Sequence, residues 1–287
     1  MRLQLVTAIY SDPSTPPTST LKKWWEEAEA WSVELGVSAN EVSGRFKSKP
    51  KGLVGGNGYD LARYRSRFVR ELEADNLEEI GLTRLLPSWE YKALDLLFSV
   101  DYGRFADAFN LFMASMDTEC LASESRLSSI DFATEIDNRS RLYLGPRYGF
   151  AVAMPSGFMP GGYALGVPSW ELPEDLLRDA NAWMHYRGGK PGCHECYRTI
   201  RNVFGYNVLN PRHMEIDVGG QRLGDWIAAS GDRGRLEPQD DGLILWTFQE
   251  GDDEEAFLRW DYPPVVAVRE QLKEYKIFPW QHLPGVE

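Results

Sequence analysis

The sequence predicts an α+β fold, with mixed or mainly antiparallel sheets and packed helices. Short apolar runs recur along the chain, bounded by Gly, Pro, Asn or Asp, as strands joined by turns require. Residues 21–35 carry apolar side chains at three- and four-residue spacing, the period of an amphipathic helix. No series of long helices separates the strand-like runs, so a parallel, doubly wound sheet ranks below α+β.

The elements follow in order. Residues 3–10 read as a buried first strand, then a Pro/Ser/Thr loop leads to Ser19 and Thr20, either of which can cap a helix. That helix places Leu21, Trp24, Trp25, Ala28, Trp31 and Leu35 on one side, and Gly36 stands where a left-handed terminating residue belongs. Tryptophans at helical spacing are core residues far more often than an exposed binding stripe. Residues 38–58 read as a long loop holding the basic cluster Arg45, Lys47, Lys49 and Lys51. Residues 59–75 suit a helix with Leu61, Tyr64, Phe68 and Leu72 on one face. Residues 91–100 and 109–116 read as strands, with Asp101-Tyr102-Gly103 as a hairpin turn. A helix is expected over 130–143, strands over 148–154 and 163–167, and a helix over 172–184 that opens on Pro173, Glu174 and Asp175. Beyond the break at Gly188, Gly189 and Gly192 come a strand-like run over 197–209, a short helix over 223–229, a strand over 243–248 and a last helix over 264–275. No internal repeat is visible. The chain divides into an N-terminal α+β part, residues 1–145, and a C-terminal one, residues 146–287, tightly packed or forming a single domain and leaving room for two similar subdomains.

Composition bounds the function classes. The 287 residues are 43% hydrophobic and include 10 Trp, 13 Tyr and 13 Phe, enough apolar surface to build a core that disordered chains lack. With 43 acidic against 31 basic residues the formal charge is −12, which repels phosphate backbones and anionic headgroups. Direct nucleic-acid and membrane binding are therefore disfavoured, and a positively charged partner is favoured. No stretch approaches the ~20 apolar residues of a membrane span. The opening run carries one basic residue and passes into Asp12, Pro13 and Pro16 without a small-residue cleavage site, so a cytoplasmic location is expected. Three cysteines do not make a disulfide framework.

Candidate chemistry is sparse. Cys193-His194-Glu195-Cys196, with His185 upstream, has two thiolates at zinc spacing. No second C-x-x-C exists, and only Cys120 and the histidines, His213 and His282 among them, could complete a site, so two ordinary cysteines near a loop is the favoured reading. Glu90-Tyr91-Lys92 with Asp75 upstream resembles the carboxylate-plus-lysine arrangement of a magnesium-dependent nuclease. Glu274-Tyr275-Lys276 fits the same short pattern, which shows how little either match means. The glycine-rich segment 52–58 lacks the Lys-Ser/Thr of a phosphate cradle. What stands out is an acidic stretch near the C-terminus. Asp240, Asp241, Asp252, Asp253, Glu254 and Glu255 are the expected partner-binding residues, since complementary charge steers association. A solvated loop is the plainer alternative.

The second half carries a family likeness. Residues 200–209 (IRNVFGYNVL) are followed by His213, by 218–227 (VGGQRLGDWI), by 234–236 (GRL), by 242–246 (GLILW) and by 268–272 (VREQL). Together, over roughly residues 197–275, these resemble the immunity protein 52 family, found beside polymorphic-toxin and type VI secretion effector genes. Residues 148–167 fit it more loosely, and residues 1–86 hardly at all. The resemblance implies an antitoxin that binds and inhibits a secreted effector, commonly a nuclease of restriction-endonuclease-like fold with a basic cleft. It brings no catalytic residue and no cofactor to transfer. The expectation is therefore a non-enzymatic inhibitor. The alternatives are a metal-dependent enzyme, built on Cys193, Cys196 and His185 or on Asp75, Glu90 and Lys92, and a structural subunit of a bacterial assembly.

Overall fold

The computed structural model describes residues 2–13, 16–85, 96–105, 109–125, 127–167, 169–187, 199–248 and 256–282. In chain order the first half holds β1 (Leu3–Ser11), α1 (Thr18–Glu34), β2 (Glu41–Phe46), β3 (Tyr59–Asp60), α2 (Leu61–Glu73), β4 (Leu77–Leu85), β5 (Leu96–Phe105), β6 (Phe109–Asp117), α3 (Thr118–Cys120) and α4 (Ser129–Tyr143). The second half holds β7 (Pro146–Pro155), α5 (Pro160–Ala164), α6 (Glu174–Arg187), β8 (Tyr206–Leu209), α7 (Pro211–Met214), β9 (Asp217–Val218), β10 (Gln221–Arg222), α8 (Leu223–Ala228), β11 (Arg235–Pro238), β12 (Ile244–Thr247) and α9 (Pro263–Lys273). Ten strands form one sheet in the order β11-β12-β8-β7-β1-β6-β5-β4-β2-β3. Neighbouring strands in it pair antiparallel, so the α+β class read from the sequence is the class observed.

β1 lies at the middle of the sheet, between β6 and β7, and joins strands from both sides of residue 146. Val6 stands opposite both Ser115 and Val152. Its sequence, LQLVTAIYS, is buried from Gln4 onward because helices cover both of its faces, the condition that replaces strict alternation by a near-continuous apolar run.

Antiparallel register places directly opposed residues on the same face of the sheet. One face, with Phe98, Tyr102 and Phe112, is covered by α1 and α4. Trp24 packs edge-on against Phe112, and Trp31 does so against Phe98 while stacking on Phe132 of α4. The tryptophans of α1 are therefore core, as their spacing predicts. The opposite face is covered only in part. Over β1, β6 and β7, Trp183 of α6 meets Tyr10, Phe109 and Tyr148. Over β2, β4 and β5 the same face carries Ser43, Arg45, Glu79, Thr83 and Asp101, all partly or fully exposed.

Under Trp183 lies a buried polar knot. Arg201 is 0% exposed and cannot shed its proton at any ordinary pH, so every donor needs a partner. It donates to Asp179 (2.8 Å), to the Tyr10 hydroxyl (3.1 Å) and to the carbonyls of Ala164 (3.0 Å) and Tyr163 (2.6 Å). Its guanidinium lies 4.2 Å from the Tyr163 ring centre and 5.1 Å from that of Trp183. Tyr163 donates its hydroxyl proton to the same Asp179 carboxylate. Burial pushes the Asp179 carboxyl above its usual range, against the pull of Arg201. The knot pins β1, α5, α6 and the segment before β8 together. Close by, an added Cβ on Gly205 would stand 1.8 Å from the Phe257 carbonyl oxygen, so only glycine admits that approach.

Several elements differ from the sequence expectation. Residues 38–58 contain β2, whose Val42 and Phe46 are too few to announce a strand around Gly44. Asp101-Tyr102-Gly103 is no turn; it lies inside β5, with Asp101 opposite Gly81 and Met113. Residues 163–167 fall on α5 and the turn after it rather than a strand, because Pro160 at the first helical position presets a helical φ. Of the described part of the run 197–209, residues 199–209, Tyr206–Leu209 is strand and residues 200–205 are buried irregular chain. Pro17, with no side-chain cap, precedes α1 instead of Ser19 or Thr20.

The sheet ends in two-residue β3 on one side and four-residue β11 on the other. Beside β2 the chain folds back, and the Gly56 N–H bonds the Gly44 carbonyl at 3.0 Å. Among the described residues no helix is long and apolar enough to cross a membrane.

Candidate partner-binding cleft

Of the six acidic residues expected to meet a partner, Asp240 and Asp241 lie within the described residues, and Asp252, Asp253, Glu254 and Glu255 lie outside them. Asp240 and Asp241 form the exposed tip of the β11–β12 hairpin. The turn is closed by Gly242 N–H to the Gln239 carbonyl (3.0 Å) and by Gln239 N–H to the Leu243 carbonyl (2.9 Å). Asp241 accepts the Leu243 N–H at 3.1 Å. Gly242 has φ 82°, the left-handed conformation that glycine adopts without penalty. An added Cβ there would meet nothing within 4 Å. Gly242→Ala is therefore expected to cost about 1 kcal/mol through backbone strain alone, measurable as a lower denaturant midpoint. An unchanged midpoint would refute the left-handed turn.

The hairpin tip walls a cleft of about 630 Å³. The other walls are the last turns of α4 (Asn138, Arg141), the entry to β7 (Pro146, Arg147) and the entry to α7 (Asn210, Pro211). A second hollow of about 310 Å³ continues from Arg147 and Asn210 to Asp12 and Arg212. Asn210 organises the wall between them. Its side chain accepts the Arg212 N–H (2.8 Å), which starts α7, and donates to the Arg147 carbonyl (2.8 Å). The buried His213 ring returns the favour by accepting the Asn210 N–H on Nδ1 at 3.0 Å.

The electrostatics of this cleft are mixed. Arg141 bridges Asp241 and Asp137, the latter at 2.8 Å, and Tyr206 donates to Asp137 at 3.4 Å. Burial raises the Asp137 carboxyl and Arg141 opposes it. Arg147 pairs with Asp12 at 2.9 Å, both half-exposed, an arrangement that contributes about 0–1 kcal/mol. Asp241 is thus partly neutralised inside its own chain, whereas Asp240 is exposed with no ion pair among the described residues. The cleft can present hydrogen-bonding carboxylates and guanidinium groups side by side, which suits a polar protein surface. Sequence reasoning did not find Arg141, Arg147, Asn210 or Arg212. They converge from segments up to 100 positions apart, as Arg141 and Asp241 are, and no local spacing signals that.

Of the metal candidates, His213 backs the cleft wall through its bond to Asn210. Asp75 adopts a left-handed conformation just after α2 and pairs with Lys47 at 2.6 Å. Glu90 and Lys92 lie outside the described residues, as do Cys193, His194 and Cys196. His185 belongs to α6. Cys120 is half-buried at the end of α3, and burial pushes its thiol up, away from the thiolate a metal needs. His282 bonds the Lys276 carbonyl at 2.7 Å. Among the described residues, no three His, Cys, Asp or Glu side chains are grouped so as to hold a metal.

No protein-family model matches the chain, and no curated protein does. The fold is similar to that of the Pseudomonas aeruginosa T6SS protein PA0821, with a TM-score of 0.52 and 17% sequence identity. The match covers 96% of this chain and 73% of that one.

Proposed function

We propose that this chain is a type VI secretion-associated immunity protein, which binds a cognate effector toxin and blocks it without chemistry of its own. The observation that carries this reading is the likeness of the fold, over 96% of the chain, to that of a T6SS protein. The charge of −12 supports a cationic target, such as a nuclease with a basic cleft. The resemblance of residues 197–275 to the immunity protein 52 family supports it from the sequence side. In this reading the hairpin tip at Asp240 and the adjoining cleft meet the effector, and residues 252–255 add charge.

Co-expression tests the proposal. Cells producing the product of the gene adjacent to this one should die alone and survive when the chain is co-produced. Failure to rescue would sink it. So would turnover of a substrate by the purified chain that disappears on changing one acidic or metal-binding side chain. Asp240→Lys should slow association with that product about tenfold at low salt and much less at high salt, because rim charge acts mainly on encounter. Stopped-flow mixing reads both. An on-rate indifferent to Asp240→Lys would remove the hairpin tip from the interface.

A further inference from the structure

Trp170 is 99% exposed. A tryptophan is the most costly side chain to leave in water, and a fully exposed one on a rigid turn calls for a reason. The turn is rigid. Leu172 N–H bonds the Ser169 carbonyl at 3.2 Å, closing a four-residue turn with Trp170 and Glu171 at its apex. Ser169 and Leu172 on either side are buried, and Ser169 Oγ donates to the Gly157 carbonyl at 3.1 Å. Glu171 folds its carboxylate over Gly157, so that a Cβ there would stand 2.0 Å from Oε2. The indole is held out by a fixed base.

It does not stand alone. Among the described residues eight large apolar side chains are exposed, and four of them, Met159, Val167, Trp170 and Met184, rise from this corner. The corner is one packed unit. Val167 N–H bonds the Gly162 carbonyl at 2.8 Å, a Cβ on Gly162 would lie 3.5 Å from that of Met159, and Gly166 sits against the backbone of Met184. Met159 has φ 52°, a strained conformation for a non-glycine residue that turns the chain out at this point. Tryptophan and methionine are enriched at protein interfaces, and tryptophan dominates their hot spots.

We infer that Trp170 is the anchor of a protein-binding surface, inserted into an apolar pocket that the partner rims with lysine or arginine. The inference rests on the reading of this chain as an effector-binding protein and gives that reading a second contact, apart from the Asp240 cleft. The charges choose the occupant. Glu171, next to the tryptophan, is exposed, Glu174 is already paired with Arg178, and the whole chain carries −12. An anionic membrane surface is repelled by that field. A symmetric second copy would bring Glu171 towards its own equivalent. A basic partner gains twice, by pairing with Glu171 and by placing a cation on the indole face.

The test is calorimetric titration of the adjacent gene's purified product into the wild-type chain, Trp170→Ala and Trp170→Phe. Because the indole touches nothing in its own chain, the melting temperature should not change. Trp170→Ala should weaken binding at least thirtyfold, and Trp170→Phe, which keeps an aromatic ring, should weaken it less. In the wild-type complex, iodide should lose its access to the fluorescence that Trp170→Ala removes from the unbound chain. Binding by Trp170→Ala within twofold of wild type overturns this inference and leaves the proposed function standing. No binding by the wild type overturns both. A sedimentation shift showing that Trp170 drives self-association, with binding unaffected, also overturns it.

Discussion

Replacing Arg201 by Met is expected to cost about 3–5 kcal/mol of folding stability, because it leaves the Asp179 carboxylate buried without its counter-charge. Folded proteins hold only about 5–15 kcal/mol in reserve. The melting temperature should fall by on the order of 10 °C. The cause can be separated from simple loss of packing by pH. With Arg201 gone, only the Tyr163 hydrogen bond and the charge of Arg269 still oppose burial at Asp179, and its carboxyl is driven further up than in the intact chain. A carboxyl whose folded pKa is raised favours the fold in its acid form, so stability is full below about pH 4 and is lost as pH rises through the folded value. Arg201→Met should therefore be hurt more at pH 8 than at pH 5. The double change Asp179→Asn/Arg201→Met should recover part of the loss, since no charge is left behind. Denaturant titrations of the three variants at both pH values decide it. A single variant within 1 kcal/mol of wild type would mean that Arg201 is not held as described.

The second large effect has the opposite sign. Asp101 lies in mid-strand on β5, its Oδ1 directly over Gly81, where an added Cβ would stand 2.1 Å away. Burial pushes its carboxyl up to about 7, a hydrogen bond from Ser99 draws it down, and the nearby Glu79 adds to the rise. Some of the residue still reaches solvent, which tempers the burial penalty. The fold favours the acid form, so this group's contribution is intact below about pH 4 and vanishes as pH rises through about 7. Asp101→Asn, which mimics the acid form, should raise stability by about 2–4 kcal/mol at pH 8. That advantage should shrink to nearly nothing at pH 4. An advantage independent of pH, or none at pH 8, would show that the carboxyl titrates normally.

These two residues also mark what sequence could and could not deliver. The covered parts of the sheet were legible: β1, β6 and β7 are buried on both faces and announce themselves as apolar runs, and α1 declares its buried stripe through Trp24, Trp25 and Trp31. The half-open end was not. In β2 and β5 one face is wet and carries Ser43, Arg45 and Asp101, so β2 reads as loop and Asp101-Tyr102-Gly103 as a turn. β4 escaped notice because Glu78, Glu79 and Gly81 break up Ile80 and Leu82. The acidic hairpin tip was legible as charge. That Arg141 answers Asp241, or that Trp170 stands wholly in water, depends on which distant segments arrive nearby, and a linear pattern holds no record of that.

The short sheet margins bear on how such a chain can be kept. If the chain acts as the inhibitor proposed above, it has to be kept at a concentration that matches its target. A ten-stranded sheet with long bare borders would invite copies to zip together at such concentrations. Here one border is two residues wide, the chain at Gly56 shields the neighbouring β2, and the other border stops at Pro238, which has no N–H to offer. Lys49 and Lys51 follow β2 and add mutual repulsion along that side. The consequence is a chain that can be stockpiled without polymerising through its strands.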